Sequence, residues 1–316
     1  MILVKTSHSK IWDPEKVVSD IIKEYTQQGN ALINLNSEGP CADAIGMYAL
    51  LDYVCDSHNF DKTKITIQTS NFEEQHSEYT IKKTDQHWIK KTISAFNAIN
   101  FTPSKQTAQN LFGCMYNLPS WDRLCLLSYI HRTNKHPSLL QCNGTWQPHR
   151  YNSYYLDSVT DYCPEEFFNI ADYLKTNPTT VLQDLTDKPI TASEMMKVVS
   201  LYNDFFIDIV SETYTHGLTF FITEKTLRPI LAITPFIING PQGYLSTLKS
   251  DYGIKTFSNW WSEDYDQYSG YQRLQEIYKV IDYLSSMPIT EIQSMYNNML
   301  PTLRYNYNHL ITKYGQ

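Results

Sequence analysis

Two short polar segments carry the clearest chemistry in this sequence. An apolar stretch ends in Glu212-Thr213, and Thr223-Glu224-Lys225 stands where a helix is expected to begin. Backbone N–H groups in the first turn of a helix attract phosphate, and Lys225 adds a full positive charge. Carboxylates such as Glu212 and Glu224 accept hydrogen bonds from ribose or sugar hydroxyls. The pattern therefore indicates a site for a phosphate and a sugar.

The same residues also allow a purely structural interpretation. Thr223 would then cap the helix, Glu224 would complement the helix dipole and Lys225 would be solvated. A further basic residue, Arg123, is predicted in the first turns of a helix over Trp121–His131. Positive charge there opposes the dipole, which indicates that Arg123 serves another role, such as binding.

The elements that must position these residues follow from the periodicity of the apolar residues. In the N-terminal part we predict a strand, a loop, a helix and a second strand, at Ala31–Leu35, Asn36–Pro40, Ala42–Val54 and Lys64–Thr69. In the C-terminal part we predict strands at Leu111–Met115, Phe205–Val210 and Pro235–Ile238, and helices at Trp121–His131, Glu165–Leu174, Gln272–Leu284 and Ile289–Leu310. This alternation is typical of an α/β protein with parallel strands.

Length and composition limit the domain organisation and the partners. A chain of 316 residues favours two domains, and the pattern loosens near residue 105, so we predict domains over 1–105 and 106–316. The net charge of −7 argues against a surface that follows nucleic-acid phosphates throughout. The basic residues near position 87 are predicted to form a solvated helix face; they are Lys82, Lys83, His87, Lys90 and Lys91. The sequence start lacks a secretory signal and no apolar run reaches membrane-spanning length, which predicts a cytoplasmic protein without a membrane partner.

Several other kinds of chemistry have no motif in the sequence. There is no dinucleotide-binding or phosphate-binding glycine loop, and the nine histidines show no paired metal-ligand spacing. The six cysteines contain no C-x-x-C pair. We therefore predict neither a resident metal nor a cofactor.

Three segments resemble the α-1,3-fucosyltransferases. Phe220–Arg228, with the sequence FFITEKTLR, resembles their Y-V-T-E-K-L-x-R motif, and Ile209–Thr213 resembles the F-E-N-S/T element just upstream. Phe112–Asn117, followed by Arg123, is similar to the S-N-C segment and its downstream phosphate-binding arginine. Order and spacing agree, although the three segments cover only about a fifth of the chain. The surrounding sequence also resembles proteins encoded by marine bacteriophages, which would place the protein in a host cytoplasm.

The resemblance implies a fold, a reaction and a donor site. The fold would be two Rossmann-like domains facing a cleft (GT-B type), and the reaction an inverting, metal-independent sugar transfer from a GDP- or UDP-linked donor such as GDP-fucose. Arg123 and Lys225 would neutralise the diphosphate, and Glu224 would bind the ribose or the donor sugar. The residues implied in nucleotide-sugar binding are Asn117, Arg123, Glu212, Thr213, Phe221, Thr223, Glu224, Lys225 and Arg228. Thr213 replaces the family's asparagine and Phe221 an aromatic hydroxyl, which leaves the donor sugar open.

An inverting transfer also needs a general base for the acceptor hydroxyl. Glu38, in the loop after the first predicted strand, occupies a position that resembles that of the family's base. Asp43, five residues further along the chain, is the alternative.

Other interpretations of the site and its acceptor stay open. The alternative function is that of a non-catalytic nucleotide- or carbohydrate-binding protein, which keeps the pocket but lacks a working base. The acceptor is a glycan or another hydroxyl compound, with a hydroxymethylated base in phage DNA as a less favoured alternative. Asp264-Tyr-Asp266 resembles the D-x-D of metal-dependent glycosyltransferases, but it follows Trp260-Trp261-Ser-Glu263 and not an apolar strand.

Overall fold

The computed structural model describes residues 1–4, 13–35, 41–43, 45–71, 73–83, 87–106, 108–116, 120–142, 163–176, 198–215 and 220–315. The chain divides into two units, Met1–His87 with His216–Phe221 and Trp88–Thr215 with Ile222–Gln316. Each unit contains one four-stranded parallel sheet together with helices, which confirms the α/β class. The boundary predicted after residue 105 falls inside the second unit, and as a limit between domains it stays a prediction.

The first unit is built around a sheet with the strand order β1-β2-β3-β4. Its elements are β1 (Ile2–Leu3), α1 (Pro14–Gln28), β2 (Ala31–Asn34), α2 (Met47–His58), β3 (Ile65–Thr69) and β4 (Thr80–Lys83). Strands β2 and β3 alternate buried and half-buried residues, so that Ile33 and Ile67 pair in register inside the core. This alternation is the period-2 pattern that predicted both strands.

Two expectations for the first unit are wrong. The helix predicted from Ala42 begins only at Met47, because Gly46 precedes it in a left-handed conformation with φ 72°. Lys82 and Lys83 lie in strand β4 and pair with β3, so they do not belong to a helix face. Both lysines are exposed on an edge strand, where lysine is common. In the sequence, the same run of lysines is also compatible with the exposed face of a helix.

The second unit contains the longer sheet strands and most of the helices. Its elements are α3 (His87–Asn97), β5 (Asn110–Tyr116), α4 (Trp121–Thr133), β6 (Leu139–Cys142), α5 (Phe167–Thr176), β7 (Phe205–Ser211), α6 (Glu224–Leu231), β8 (Phe236–Asn239), α7 (Tyr244–Ser250), α8 (Gly270–Ser286) and α9 (Ile289–Tyr314). Strands β7 and β8 are buried along their whole length. Such continuous apolar strands are expected of a parallel sheet that is covered on both faces.

The strand order of this second sheet, β6-β5-β7-β8, determines where a ligand site is expected. From β5 the chain continues to the neighbour on one side, and from β7 it continues to the neighbour on the other side. The direction of winding therefore reverses between β5 and β7. In open parallel sheets, ligands bind at such a topological switch point, outside the carboxyl ends of the strands.

The described helices also bear on membrane association. None of them combines the length and the hydropathy that a membrane crossing requires. The predicted cytoplasmic location stays a prediction.

Candidate functional site

Glu212 follows directly after β7, at the switch point of the second sheet. Its Oε1 accepts hydrogen bonds from Thr226 Oγ1 at 2.6 Å, Tyr244 OH at 3.0 Å and the Thr223 backbone N–H at 3.3 Å. Its Oε2 accepts from Thr223 Oγ1 at 2.5 Å and the Thr213 N–H at 3.3 Å. Protein donors thus surround both carboxylate oxygens, and Glu212 fastens the start of α6 to the end of β7. Its predicted place in the lining of a donor pocket stays a prediction.

Lys225 lies in the first turn of α6, among the residues singled out in the sequence. Its Nζ lies 3.1 Å from Thr213 Oγ1, 3.3 Å from Thr223 Oγ1 and 3.2 Å from Glu224 Oε1. Thr223 Oγ1 also accepts from the Lys225 backbone N–H at 3.1 Å, so Thr223 caps the helix as the structural interpretation expects. The Lys225 side chain is only 16% exposed and is therefore not a solvated surface lysine.

Glu224 is negatively charged at this site. Burial tends to raise the pKa of Glu224, but the charges of Lys225 and Arg228 outweigh burial and hold that pKa below its usual value. A charged carboxylate only accepts hydrogen bonds. Its chemistry therefore matches hydroxyl donors such as those of ribose or a sugar.

Arg123, in the helix that follows β5, reaches the same end of the sheet. The residue is buried in the first turn of α4, and its Nη2 donates to the backbone oxygens of Ser211 at 3.2 Å and Glu212 at 3.4 Å. Its guanidinium carbon lies 5.7 Å from the ring centroid of Tyr116, the last residue of β5. Arg123 thus spans the ends of β5 and β7, where the direction of winding reverses.

A small cavity lies beside these residues. It has an empty volume of about 200 Å³, and Tyr116, Ser211, Lys225 and Arg228 are among the residues that line it. Within the described residues, the buried Nε of Arg228 has no hydrogen-bond partner. Pockets for whole drug-sized ligands have roughly 300–1,000 Å³. The cavity is therefore smaller than a site for a whole nucleotide sugar.

Sequence reasoning missed Asp122, which links three elements at the site through hydrogen bonds. Its buried Oδ2 accepts from Ser211 Oγ at 2.6 Å and from Asn239 Nδ2 at 2.9 Å, while Oδ1 accepts from Ser120 Oγ. The residue thereby connects the start of α4 with the ends of β7 and β8. The available signal was an acidic residue in the first turn after Ser120, a common start of a helix.

The remaining predicted site residues are not brought into this cluster by the described contacts. Glu38 and Asn117 lie outside the described residues. Phe221 is 5% exposed and groups with the first unit. Asp43, the alternative base, is exposed in the first unit.

The acidic pair Asp264-Tyr-Asp266 has a structural role. Asp266 accepts hydrogen bonds from the backbone N–H groups of Leu245 at 2.9 Å and Ser246 at 3.0 Å, at the start of α7. It also pairs with Arg273 at 3.2 Å. Across the described ranges, no group of three or more His, Cys, Asp or Glu side chains is arranged to hold a metal ion.

The buried Lys105, beside the first residue of β7, is expected to make the free energy of unfolding depend on pH. Its Nζ donates to the backbone oxygens of Phe205, at 2.5 Å, and Tyr202, and burial lowers the pKa of Lys105 to about 7. An unfolded lysine has a pKa near about 10.4, so between these values the unfolded chain binds the extra proton. The free energy of unfolding should therefore rise by about 1.5 kcal/mol from pH 7 to pH 8.5.

Lys105→Met tests this expectation by urea unfolding at the two pH values. The variant should lose the rise, because it has no proton to release on folding. Asp208, whose pKa burial raises to about 6, titrates below this window in the wild-type chain. An equal rise in the variant would show that other groups cause the pH dependence.

Comparisons with models of protein families, with curated proteins and with solved structures found no match to this chain. Evidence for a function therefore comes from the residues of the site and from the resemblance of the three motif segments.

Proposed function

We propose that this chain is a nucleotide-sugar glycosyltransferase of the GT-B type that transfers fucose or a related sugar with inversion and without a metal. One observation supports the proposal most. The segments that contain Arg123, Thr213 and Lys225, which are far apart in sequence, meet at the switch point of the second sheet. This is the part of an open parallel sheet where nucleotides bind.

The charges at this place suit the departure of a nucleoside diphosphate. Negative charge grows on the leaving diphosphate in the transition state, and fixed cations stabilise it best when they are already in position. Lys225 is held by Thr213, Thr223 and Glu224, and the unpartnered Nε of Arg228 lies buried within the described part of the chain. In this proposal Lys225, Arg228 and Arg123 together do the work that a divalent ion does in metal-dependent enzymes.

Donor binding is expected to depend on Lys225 and Arg123. Lys225→Ala or Arg123→Ala should weaken the binding of GDP or UDP by about 1.5–3 kcal/mol, as is typical of hydrogen bonds to charged groups. Isothermal titration calorimetry measures the effect. Lys175→Ala removes an exposed lysine from α5 and serves as the control with unchanged affinity.

Each variant must first show a cooperative thermal transition, because Arg123 is buried. Folded Lys225 and Arg123 variants with unaltered affinity would disprove the donor site. A wild-type chain that binds the nucleotide sugar but neither hydrolyses nor transfers it over many hours would instead identify the non-catalytic binding protein.

Sugar transfer is expected to survive excess EDTA. The physical reason is that Lys225 and Arg228 supply the positive charge, while Asp266 is occupied by the start of α7 and by Arg273. The measurement is the rate of transfer with and without chelator. A loss of activity that magnesium or manganese restores would require a metal-dependent mechanism in place of this one.

A further inference from the structure

A second concave surface lies on the second unit and shares no lining residue with the cavity at the switch point. It encloses about 1090 Å³, part of it open to solvent. One wall is the loop 258–265, which contributes Trp260, Trp261 and Asp264. The other wall is one face of α8, which contributes Glu276, Lys279 and Tyr283. These helix residues are three and four positions apart and therefore point in the same direction. We call this surface the aromatic groove.

The two indole rings of the loop wall pack against a buried phenylalanine. Phe257 is fully buried, and its ring centroid lies 6.2 Å from that of Trp260 and 5.3 Å from that of Trp261. Glu263 anchors the loop, since its carboxylate accepts from Thr256 Oγ1 and the Phe257 N–H, both at 2.6 Å. The two indoles are thus fixed before any ligand arrives, which reduces the entropy cost of binding.

Trp261, which lines this wall, has an indole N–H without a hydrogen-bond partner among the described residues. The side chain is 4% exposed, and its buried Nε1–H has no acceptor in the part of the chain that the structure describes. An indole N–H only donates, and a buried donor without an acceptor is costly. The N–H signal of Trp261, which lines the groove, can therefore serve as a probe of this wall.

The charges of the groove select against an anionic ligand. Lys279 already pairs with Glu276 at 2.7 Å, and Asp264 accepts from Ser262 Oγ at 2.8 Å. The lining therefore offers no uncompensated cation for a phosphate or a carboxylate. It does offer carboxylate oxygens, which accept hydrogen bonds from hydroxyl groups, next to aromatic faces that pack against C–H groups.

We propose that the aromatic groove binds a neutral oligosaccharide. Trp260 and Tyr283, which is half exposed, provide the stacking surfaces for sugar rings. Asp264 and Glu276 accept hydrogen bonds from sugar hydroxyls. This inference is independent of the donor site, because it uses none of its residues.

The test follows the indole N–H signals of the full chain labelled with ¹⁵N-tryptophan. The probes are neutral hexasaccharides of glucose, mannose, galactose and N-acetylglucosamine at up to about 20 mM, a range that detects millimolar dissociation constants. At least one probe should shift the Trp261 signal, which is assigned by its loss in Trp261→Phe. Trp260→Ala should weaken that binding roughly tenfold, since it removes one stacking face.

Two controls separate this groove from other causes. Phe168→Ala removes an exposed aromatic side chain from α5 and should leave the binding unchanged. Lys225→Ala should also leave it unchanged, whereas Trp260→Ala should not alter GDP affinity. The proposal is overturned if no hexasaccharide shifts the Trp261 signal, or if the shift is as large in Trp260→Ala. A stronger response to an anionic oligosaccharide such as a heparin hexasaccharide would equally overturn it.

Discussion

Replacing Glu212 with alanine is expected to lower the free energy of unfolding by about 3–5 kcal/mol, because several buried donors lose their acceptor at about 1–3 kcal/mol each. The carboxylate is 2% exposed and accepts hydrogen bonds from two backbone N–H groups and three hydroxyls. Alanine would leave most of these donors buried without acceptors, while Thr226 Oγ1 and Tyr244 OH would keep each other at 3.1 Å. Each buried donor without an acceptor costs free energy. Urea unfolding followed by tryptophan fluorescence measures the loss.

Two further variants make this result interpretable. Glu212→Gln keeps the shape but turns part of the acceptor into a donor, so its loss should be intermediate. Glu291→Ala removes an exposed glutamate from the first turn of α9 and should change stability by less than about 1 kcal/mol. A Glu212→Ala loss no larger than that of the exposed control would show that the hydrogen bonds around Glu212 contribute little to folding.

Replacing Glu38 with glutamine is expected to lower turnover by about 100- to 10,000-fold, with nucleotide affinity nearly unchanged. The prediction depends on the proposed transfer reaction. An acceptor hydroxyl has a pKa far above neutrality, so a carboxylate helps only by taking the proton as the new bond to the sugar forms. Glutamine keeps the size of the side chain and removes its basicity. Steady-state kinetics and GDP calorimetry on the same variant separate the two effects.

Asp43→Asn is the matched variant for this experiment, because Asp43 is an exposed carboxylate close to Glu38 in sequence. It should keep wild-type turnover if Glu38 is the base. The reverse result, with Asp43→Asn inactive and Glu38→Gln retaining more than roughly a tenth of turnover, would assign the base to Asp43. A Glu38 variant that also loses GDP binding would contradict a role confined to the acceptor hydroxyl.

Strand prediction succeeded where a strand contains an apolar run or clear alternation, which includes the buried edge strand β8. The interior strands β2, β3, β5 and β7 were predicted because strands with neighbours on both sides contain apolar runs or clear alternation. The strands that were missed, β1, β4 and β6, are short edge strands of two to four residues. Strands β4 and β6 contain mostly exposed or half-buried residues. A short edge strand with exposed residues is held by its one neighbour, and its own sequence shows little hydrophobic pattern.

The sequence by itself determined the α/β class, the buried interior strands and the types of residue available for binding phosphate and sugar. These properties depend on patterns within a few residues, such as apolar alternation or a helix cap, and local patterns are visible in a chain. Only the tertiary structure decided that Glu212 is enclosed by donors as distant in sequence as Tyr244, 32 residues away. It also decided that Asp122 meets Asn239, 117 residues away. Such partners are chosen by the order of strands in the sheet, because that order determines which strand ends, and hence which polar side chains, become neighbours.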